Sequence, residues 1–226
     1  MVKFKGIDFK SKGIIVEKTP TISKGKKDIE TYSIPGRNGF LSIDKNTYQP
    51  FSVSIECHAK ETADFDEIKA FLDGYGTLSF DNDREYTAIV NNAIPFEKVQ
   101  MFKSFVVQFM VNPIAHDINE TEYTVSSASD TLTINGGNTE IEPILEIVGS
   151  GNVSITINNK TFNLIDLDSS KTYTLDSNLK IIVDNNGVNR SNQMLYAFPI
   201  LYPGENEISY IGTISSFKIK YKKSYL

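Results

Sequence analysis

The sequence predicts a mainly β protein built as two domains. Residues with a branched β-carbon dominate, with 27 Ile, 13 Val and 17 Thr against 8 Ala and 12 Leu, and such side chains favour extended strands over helices. The chain also has 19 Asn and 14 Gly, which tolerate the left-handed backbone of tight turns. Its 226 residues, 40% of them hydrophobic, are enough to give each of two domains a core.

Charge is distributed unevenly along the chain and indicates where the domains meet. Residues 1–115 carry 15 basic and 15 acidic side chains, whereas residues 116–226 carry 8 and 13, so the net charge of −5 belongs to the second part. We therefore predict domains at 1–115 and 116–226. A protein that grips nucleic acid through its phosphates needs a basic face, and the acidic second part offers the opposite.

Hydropathy and cysteine content argue against membrane-spanning and secreted proteins. No run approaches the ~20 apolar residues that span a bilayer, and Met1–Gly6 lacks the apolar core of a secretory signal. The single cysteine, Cys57, cannot form an intrachain disulfide, which fits synthesis in a reducing compartment. We expect neither a helical membrane protein nor a secreted one.

Alternation of apolar and polar residues predicts the strands of the first part. Phe51, Val53, Ile55 and Cys57 share one face, which makes Cys57 a small core residue rather than a nucleophile. The other predicted strands are Val2–Lys5, Gly13–Val16, Gly76–Phe80, Glu85–Val90 and Phe105–Pro113. Because proline cannot donate to a strand ladder, Pro113 is expected to end the last strand and to begin a linker.

One helix is predicted, from Asp64 to Asp73. Asp64 can cap its N-terminus, and Glu67 follows at the spacing of a capping box. Phe65, Ile68, Phe71 and Leu72 form one apolar stripe, and Gly74 supplies the stop. The stripe is expected to pack on a sheet.

Two polar segments of the first part lie between these elements. Glu17–Asp28 is basic and contains a proline and a glycine, so it predicts an exposed connection or a long hairpin. A solvated loop explains it, and a protein contact is the alternative. Ile34–Leu41 contains Pro-Gly and Asn-Gly pairs between apolar flanks, which predicts a tight reversal between two strands.

In the second part, short strands and turns follow one another every ~8 to 12 residues, the spacing of a β-sandwich. The predicted strands are Leu132–Ile134, Ile144–Val148, Val153–Ile157, Phe162–Leu164, Lys171–Leu175, Lys180–Val183, Ile208–Ile211 and Phe217–Lys222. Turns are predicted between them, including Gly149–Asn152 and Asn158–Asn159. The lysines of the last strand are expected to protect a sheet edge or to face solvent.

The sequence contains no recognisable catalytic or metal-binding motif. His58 and His116 are the only imidazoles, and His58 points away from Cys57 because neighbours in a strand face opposite sides. Asp81 and Asp83 lack the glycine and glutamate of a calcium loop, which favours a hairpin turn over Asp81–Arg84. Asp166 and Asp168 could share a face, as in any acidic turn. We therefore expect no enzyme, no cofactor and no metal site.

The order of the turn motifs resembles one known family, the distal tail proteins of long non-contractile phage tails. Gly36, Arg37, Asn38 and Gly39, followed by Phe40–Leu41 and Tyr48–Phe51, are similar to the family's N-terminal hallmark. Later motifs follow in the family's order: Leu78–Asp81, Tyr86–Ala88, Asn112–Pro113, Asn135–Asn138, Pro143–Ile147, Gly149–Gly151, Ile182–Asp184 and Phe198–Asn206. Each motif alone is turn chemistry, and their order over almost the whole chain carries the resemblance.

The resemblance implies a tail-tube-like β-sandwich or barrel over residues 1–115 and a galectin-like jelly-roll sandwich over residues 116–226. It implies a structural hub at the virion tail tip, made in the cytoplasm of the bacterial host and assembled as a homo-hexameric ring through which DNA only passes. Its implied partners are the tail tube protein, the tail-associated or tail-tip protein and receptor-binding proteins, with no membrane.

A ring needs a heterologous interface that closes on itself. We predict that the Glu17–Asp28 segment and the strand edges beside it contribute to this contact, with Lys24, Lys26 and Lys27 as candidates. The alternative function is a carbohydrate-binding module. Since the chain has no tryptophan, Tyr173, Tyr196 or Tyr202 would have to stack on the sugar. A third hypothesis, a tail-tube protein proper, is disfavoured by the added second domain.

Overall fold

The computed structural model describes residues 1–80, 83–94 and 103–226. The chain divides into two compact units, Met1–His116 with Leu226, and Asp117–Tyr225. Both consist mainly of strands, and the one α-helix of the described residues lies in the first unit. The predicted mainly β fold class is therefore confirmed. No helix in the described part of the chain is long and apolar enough to cross a membrane.

The main sheet of the first unit has the strand order β2-β1-β7-β8-β9-β6-β3. Its inner face is apolar because alternate residues of β6 and β9, such as Val53, Ile55, Val107 and Phe109, are buried. The strands of this unit are β1 (Lys3–Phe4), β2 (Ile7–Asp8), β3 (Ile14–Val16), β4 (Lys27–Tyr32), β5 (Leu41–Tyr48), β6 (Phe51–Ala59), β7 (Tyr75–Ser79), β8 (Arg84–Val90) and β9 (Ser104–Asp117).

Helix α1 (Phe65–Phe71) packs its apolar stripe into this core, as predicted. The Asp64 carboxylate accepts hydrogen bonds from the backbone N–H of Asp66 at 2.9 Å and of Glu67 at 3.2 Å, which confirms the predicted cap. Ile68 is fully buried. Edge-to-face aromatic pairs join the helix to the sheet, with the rings of Phe4 and Phe71 at 5.8 Å.

The prediction that Pro113 ends its strand is wrong, because β9 continues through Pro113 to Asp117. The pairing of β9 with β6 stops at Val111, opposite Phe51. Beyond that point β6 no longer needs an N–H from β9, so a proline is tolerated there. The predicted turn over Asp81–Arg84 falls partly on Asp81 and Asn82, which lie outside the described residues.

The second unit is organised around two long strands, β12 and β17, which pair along most of their length. Its principal strand order is β10-β17-β12-β13-β16, while β11 pairs with β17, and β14 with β12 and β15. The strands are β10 (Thr121–Thr124), β11 (Ser129–Ile134), β12 (Ile144–Ile157), β13 (Lys160–Leu167), β14 (Tyr173–Asp176), β15 (Ile181–Asp184), β16 (Met194–Leu195), β17 (Gly204–Tyr221) and β18 (Ser224–Tyr225).

The predicted turn at Gly149–Asn152 is wrong, because the segment lies inside β12 as an irregularity. The β12–β17 register shifts at Gly149 and again between Ser150 and Ser154. A Cβ on Gly149 would lie 2.6 Å from Thr213 O, so only glycine permits this close approach of the two strands. The sequence pattern predicts two strands joined by a turn, whereas the structure has the single strand β12 with an irregularity at these glycines. The Asn158–Asn159 turn is confirmed, with both residues at positive φ.

Of the two roles predicted for the lysines of the last long strand, protection of a sheet edge is wrong, whereas exposure to solvent is correct for Lys218, whose side chain is 40% exposed. At Lys218 and Lys220, β17 has β10 on one side and β12 on the other. Lys218 pairs with Glu122 at 2.8 Å, and Lys220 pairs with Glu146 at 2.6 Å. These basic residues therefore neutralise acidic residues of the neighbouring strands.

Candidate assembly surface

Strands β4 and β5 form a two-stranded hairpin that pairs with no other strand of the described residues. We call residues 27–48 the arm. None of its residues is buried, and most are more than one-third exposed. An isolated two-stranded hairpin is marginally stable in water. The arm is therefore the part of the first unit that most needs a further surface to pack on.

One face of the arm carries three exposed apolar side chains beside the charged Glu30. Tyr32 lies opposite Leu41, and Glu30 lies opposite Ile43, so Tyr32, Leu41 and Ile43 share a face at the period of two. Their exposed fractions are 48%, 49% and 49%. We call these three residues the apolar face of the arm. The other face carries Thr31 opposite Ser42 and the exposed Ile29 opposite Asp44, so it has one apolar side chain where the first face has three. Exposed apolar groups that lie together commonly mark a protein contact.

Charged pairs hold the arm together near its base. Lys45 contacts Glu30 at 2.6 Å and Asp28 at 3.7 Å, while Lys27 pairs with Asp44. The Lys45 ammonium and the Tyr32 hydroxyl, which donates to Glu30, hold the pKa of Glu30 below its ordinary value. Lys27 likewise lowers the pKa of Asp44. Exposed ion pairs are weak in water, so they support the hairpin without replacing a core.

The arm is anchored where the connection from β3 reaches it. Gly25 is buried, and a Cβ there would lie 2.5 Å from the Cβ of Pro113. The backbone N–H of Gln49 donates to Lys26 O at 2.7 Å. The Lys24 ammonium lies 5.8 Å from the centre of the Tyr48 ring. These contacts fix the point from which the arm projects.

Of the three lysines predicted as ring contacts, Lys24 and Lys27 have partners in their own chain. Lys24 lies over Tyr48, and Lys27 pairs with Asp44. Lys26 is exposed, and its carbonyl accepts the hydrogen bond from Gln49. The predicted segment therefore reaches the arm, but two of its charges are used to build the arm.

The family-like motif Gly36, Arg37, Asn38 and Gly39 forms the tip of the arm. Gly36 and Gly39 have φ of 81° and 91°, which L side chains rarely adopt. The Arg37 N–H donates to Ile34 O at 3.1 Å. The predicted reversal is therefore present, and the side chains of Ile34 and Phe40 beside it are 39% and 72% exposed.

The apolar face was not among the predicted site residues. Leu41 and Ile43 do alternate with polar residues, which is the pattern of a half-buried strand. That pattern cannot distinguish a strand that covers its own core from one that leaves its apolar side chains exposed. Only the position of the arm outside the sheet makes the difference.

The three tyrosines proposed for sugar stacking lie in different environments. Tyr173 is 2% exposed, and its hydroxyl accepts a hydrogen bond from Asp168 N–H at 3.0 Å, so its ring is not available to a sugar. Tyr202 is half-buried. Tyr196 is 76% exposed and has φ of 81°, an unusual backbone for a bulky residue.

Cys57 and His58 do not form a catalytic couple. Cys57 is 1% exposed, and burial raises the pKa of its thiol to about 12. His58 lies on the other face of β6, with Nδ1 3.3 Å from Ser104 Oγ. Within residues 1–80, 83–94 and 103–226, no three His, Cys, Asp or Glu side chains are grouped to hold a metal ion.

Among the comparisons with known proteins, the one with solved structures finds a match. No protein-family model matches the sequence, and no curated protein matches it significantly. A solved structure, the Dit (gp 19.1) protein of phage SPP1, matches with a TM-score of 0.75 and 12% identity over 100% of this chain and 98% of that one. That protein is described as a paradigm of the hub adsorption apparatus in phages that infect Gram-positive bacteria. At this identity the match shows that the two proteins share a fold.

Proposed function

We propose that this protein is a structural component of a phage tail or phage-tail-like particle, the distal hub at the tail tip. The observation that carries the proposal is the shared fold over the full length of both chains, the hub protein and this one. A match to only one of the two β-sandwiches would be weak evidence for function, because β-sandwiches serve many functions. Here both units match in the same order.

Within this proposal, residues 1–115 are a tail-tube-like domain that forms a homo-hexameric ring with a channel for DNA. Residues 116–226 are a galectin-like domain outside the ring. The partners are the tail tube protein on one side, and tail-tip and receptor-binding proteins on the other. The chain is made in the host cytoplasm and acts in the virion without catalysis.

The arm is the proposed contact between ring subunits. It projects from an anchored base, it has no core of its own, and its apolar face is half exposed. A neighbouring copy that covers Tyr32, Leu41 and Ile43 would remove this surface from water, which is favourable. In a cyclic ring each copy packs its arm on one neighbour and binds the arm of its other neighbour, so every subunit makes the same contacts.

Native mass spectrometry over a concentration series, with negative-stain imaging, tests the ring. We expect hexamers for the wild-type chain and smaller species for Leu41→Asp and Ile43→Asp. Thr31→Asp and Ser42→Asp are matched controls on the other face of the same arm, and they should leave the hexamer intact. Equal loss in both pairs would overturn the assignment of the apolar face.

The place in the virion needs a separate test. Antibodies against this chain should label one end of the tail in particles from the strain that carries its gene. Label along the whole tube would favour a tail-tube protein, and label absent from tails would overturn the hub proposal. A wild-type monomer that stays monomeric with the tail tube protein present would overturn the ring.

The second candidate function is sugar binding by residues 116–226. Tyr196 favours it, because an exposed aromatic ring on a left-handed residue is the kind of strained feature found at binding sites. A glycan array with the wild-type chain tests this function. Specific binding that Tyr196→Ala abolishes and Asn178→Ala, at an exposed position of the same unit, retains would support it, and an array without specific binding would reject it.

A further inference from the structure

We propose that Asn38 at the arm tip is a site of spontaneous deamidation that reacts faster than the chain's other Asn–Gly pairs. Those pairs are Asn135–Gly136 and Asn186–Gly187. Glycine after asparagine favours the reaction because no side chain hinders the approach of the next backbone nitrogen. The three sites share this local chemistry, so the folded structure decides between them.

The reaction needs only water. The backbone nitrogen of Gly39 loses its proton and attacks Cγ of Asn38. A new N–C bond forms, the bond from Cγ to the side-chain nitrogen breaks, and ammonia leaves, giving a five-membered succinimide. Water then opens this ring at either carbonyl, so the product is aspartate or isoaspartate. One water is consumed and one ammonia is released, with no oxidation or reduction.

The arm tip leaves the reacting groups unhindered. Asn38 and Gly39 are exposed, and a Cβ on either Gly36 or Gly39 would have no neighbour within 4 Å. Among the described residues, none accepts a hydrogen bond from the Gly39 N–H. The nitrogen can therefore lose its proton, and Asn38 can rotate towards it, without breaking any interaction.

Asn186–Gly187 is restrained by a buried carboxylate. The Gly187 N–H donates to Asp184 O at 2.8 Å, and the Asn186 N–H donates to Asp184 Oδ1 at 3.0 Å. The Asp184 side chain is fully buried and bound by Arg190 at 2.9 Å. The attacking nitrogen must give up its hydrogen bond before it reacts, so this site should be the slowest.

The Asn135–Gly136 pair should deamidate at an intermediate rate. A Cβ on Gly136 would lie 3.7 Å from Lys223 Cδ, and one on Gly137 would lie 3.1 Å from Ser224 O. The Asn138 N–H donates to the same Ser224 carbonyl at 3.0 Å. The segment that follows Asn135 is thus packed against β18, which limits the rotation that the reaction needs.

The product changes the electrostatics of the tip. Arg37 is the only charged residue between Ser33 and Phe40, so a carboxylate at position 38 cancels the net charge of this segment. Isoaspartate also adds a backbone carbon to a tight reversal. The proposal concerns the free chain, so it is tested at a protein concentration at which native mass spectrometry shows the monomer.

Peptide mapping by mass spectrometry tests the ranking. The purified full chain is incubated in mildly alkaline buffer, and the three peptides are followed for the exchange of NH₂ for OH and for isoaspartate. We expect Asn38 to convert at least about fivefold faster than Asn186, the factor for one retained hydrogen bond of about 1 kcal/mol. Asn38→Gln should abolish conversion at this position, because the longer side chain would have to close a larger ring.

The same incubation in concentrated urea is the control for structure. Without the fold, the three rates should converge, since each site then has only its local sequence. A folded protein in which Asn186 or Asn135 converts as fast as Asn38 overturns the proposal. So does a ranking that urea leaves unchanged, or a folded chain in which Asn38 does not react while the unfolded chain does.

Discussion

Gly25 lies against Pro113 so closely that a Cβ on the glycine would approach the proline Cβ to 2.5 Å. The contact joins the connection before the arm to strand β9 of the main sheet. Gln49 closes the other side, since its carbonyl would lie 3.2 Å from the same Cβ. The position of the arm is therefore set by a glycine in an otherwise exposed polar segment.

Gly25→Ala should displace the arm from its base. The methyl group has no space, and overpacking of this kind typically costs about 1–3 kcal/mol. We expect a lower Tm and faster cleavage of residues 17–48 in limited proteolysis. Ser23→Ala, at an exposed position of the same segment, is the matched control. Equal cleavage of the two variants would contradict the anchoring role of Gly25.

Lys27 and Asp44 should behave as an intrachain pair. Lys27→Glu or Asp44→Lys alone places like charges together, so we expect faster hydrogen exchange in the arm for each single variant. The double variant restores opposite charges in reversed order. Exchange close to wild type in the double variant would show the pairing. If the double variant exchanges as fast as the single ones, Lys27 acts through another partner.

Asn206 should be important for the stability of the second unit. It is fully buried, its Oδ1 accepts from Tyr202 N–H at 2.8 Å and from Asn158 Nδ2 at 2.7 Å, and its Nδ2 donates to Tyr202 O at 2.8 Å. Asn206→Ala leaves these buried groups without partners, which costs about 1–3 kcal/mol for each. Chemical denaturation should show a loss of about 3 kcal/mol or more. Asn178→Ala, on the exposed surface, should be near neutral.

Acid should weaken the second unit through Asp184. Burial alone would raise the pKa of this carboxyl, but hydrogen bonds from Val188 N–H and Arg190 hold its pKa below the ordinary value. A carboxylate of this kind stabilises the fold above its unfolded pKa of about 4, and the contribution is lost as pH falls through the lower folded value. The Tm should therefore fall below pH ~4.

The Asp184→Asn variant isolates this contribution. Its Tm should be lower at neutral pH and should fall less on acidification than that of the wild type. Asp66→Asn, which removes a carboxylate that is 90% exposed, is the control and should follow the wild-type curve. Parallel curves for Asp184→Asn and the wild type would assign the acid sensitivity to other carboxylates.

Cys57 should not react with thiol reagents in the folded protein. Its side chain is buried, and its pKa of about 12 leaves almost no thiolate at neutral pH. We expect no labelling by a disulfide reagent until denaturant unfolds the first unit, and then one label per chain. Rapid labelling without denaturant would indicate that β6 opens locally.

The local features of the fold could be predicted from particular residues. The capping residues Asp64 and Glu67 predict the start of α1, and the alternation from Phe51 to Cys57 predicts the buried face of β6. Paired asparagines at Asn158 and Asn159 predict their hairpin turn. In each case the cause lies within a few residues, as a cap, a period of two or a left-handed preference.

Other features depend on residues distant in the sequence. Pro113 has the local pattern of a strand end, but the pairing of β9 with β6 already stops at Val111, so the missing N–H of the proline breaks no hydrogen bond between these two strands. Gly149 has the local pattern of a turn, but it lies within β12, where the backbone of Thr213 on β17 comes so close that only glycine fits. The alternation at Lys218 and Lys220 is typical of lysines that protect a sheet edge. In the structure, β10 and β12 flank these lysines and supply the carboxylates of Glu122 and Glu146.

The sequence by itself determined that this protein is a mainly β chain with a helix that begins after Asp64, because β-branched composition, alternation and capping act over short distances. It also placed a tight reversal at Gly36–Gly39. Only the tertiary structure decided that this reversal is the tip of an arm outside the sheet. The reason is physical: Leu41 and Ile43 alternate like core residues, and whether such residues cover their own sheet or remain exposed depends on which strands pair with them.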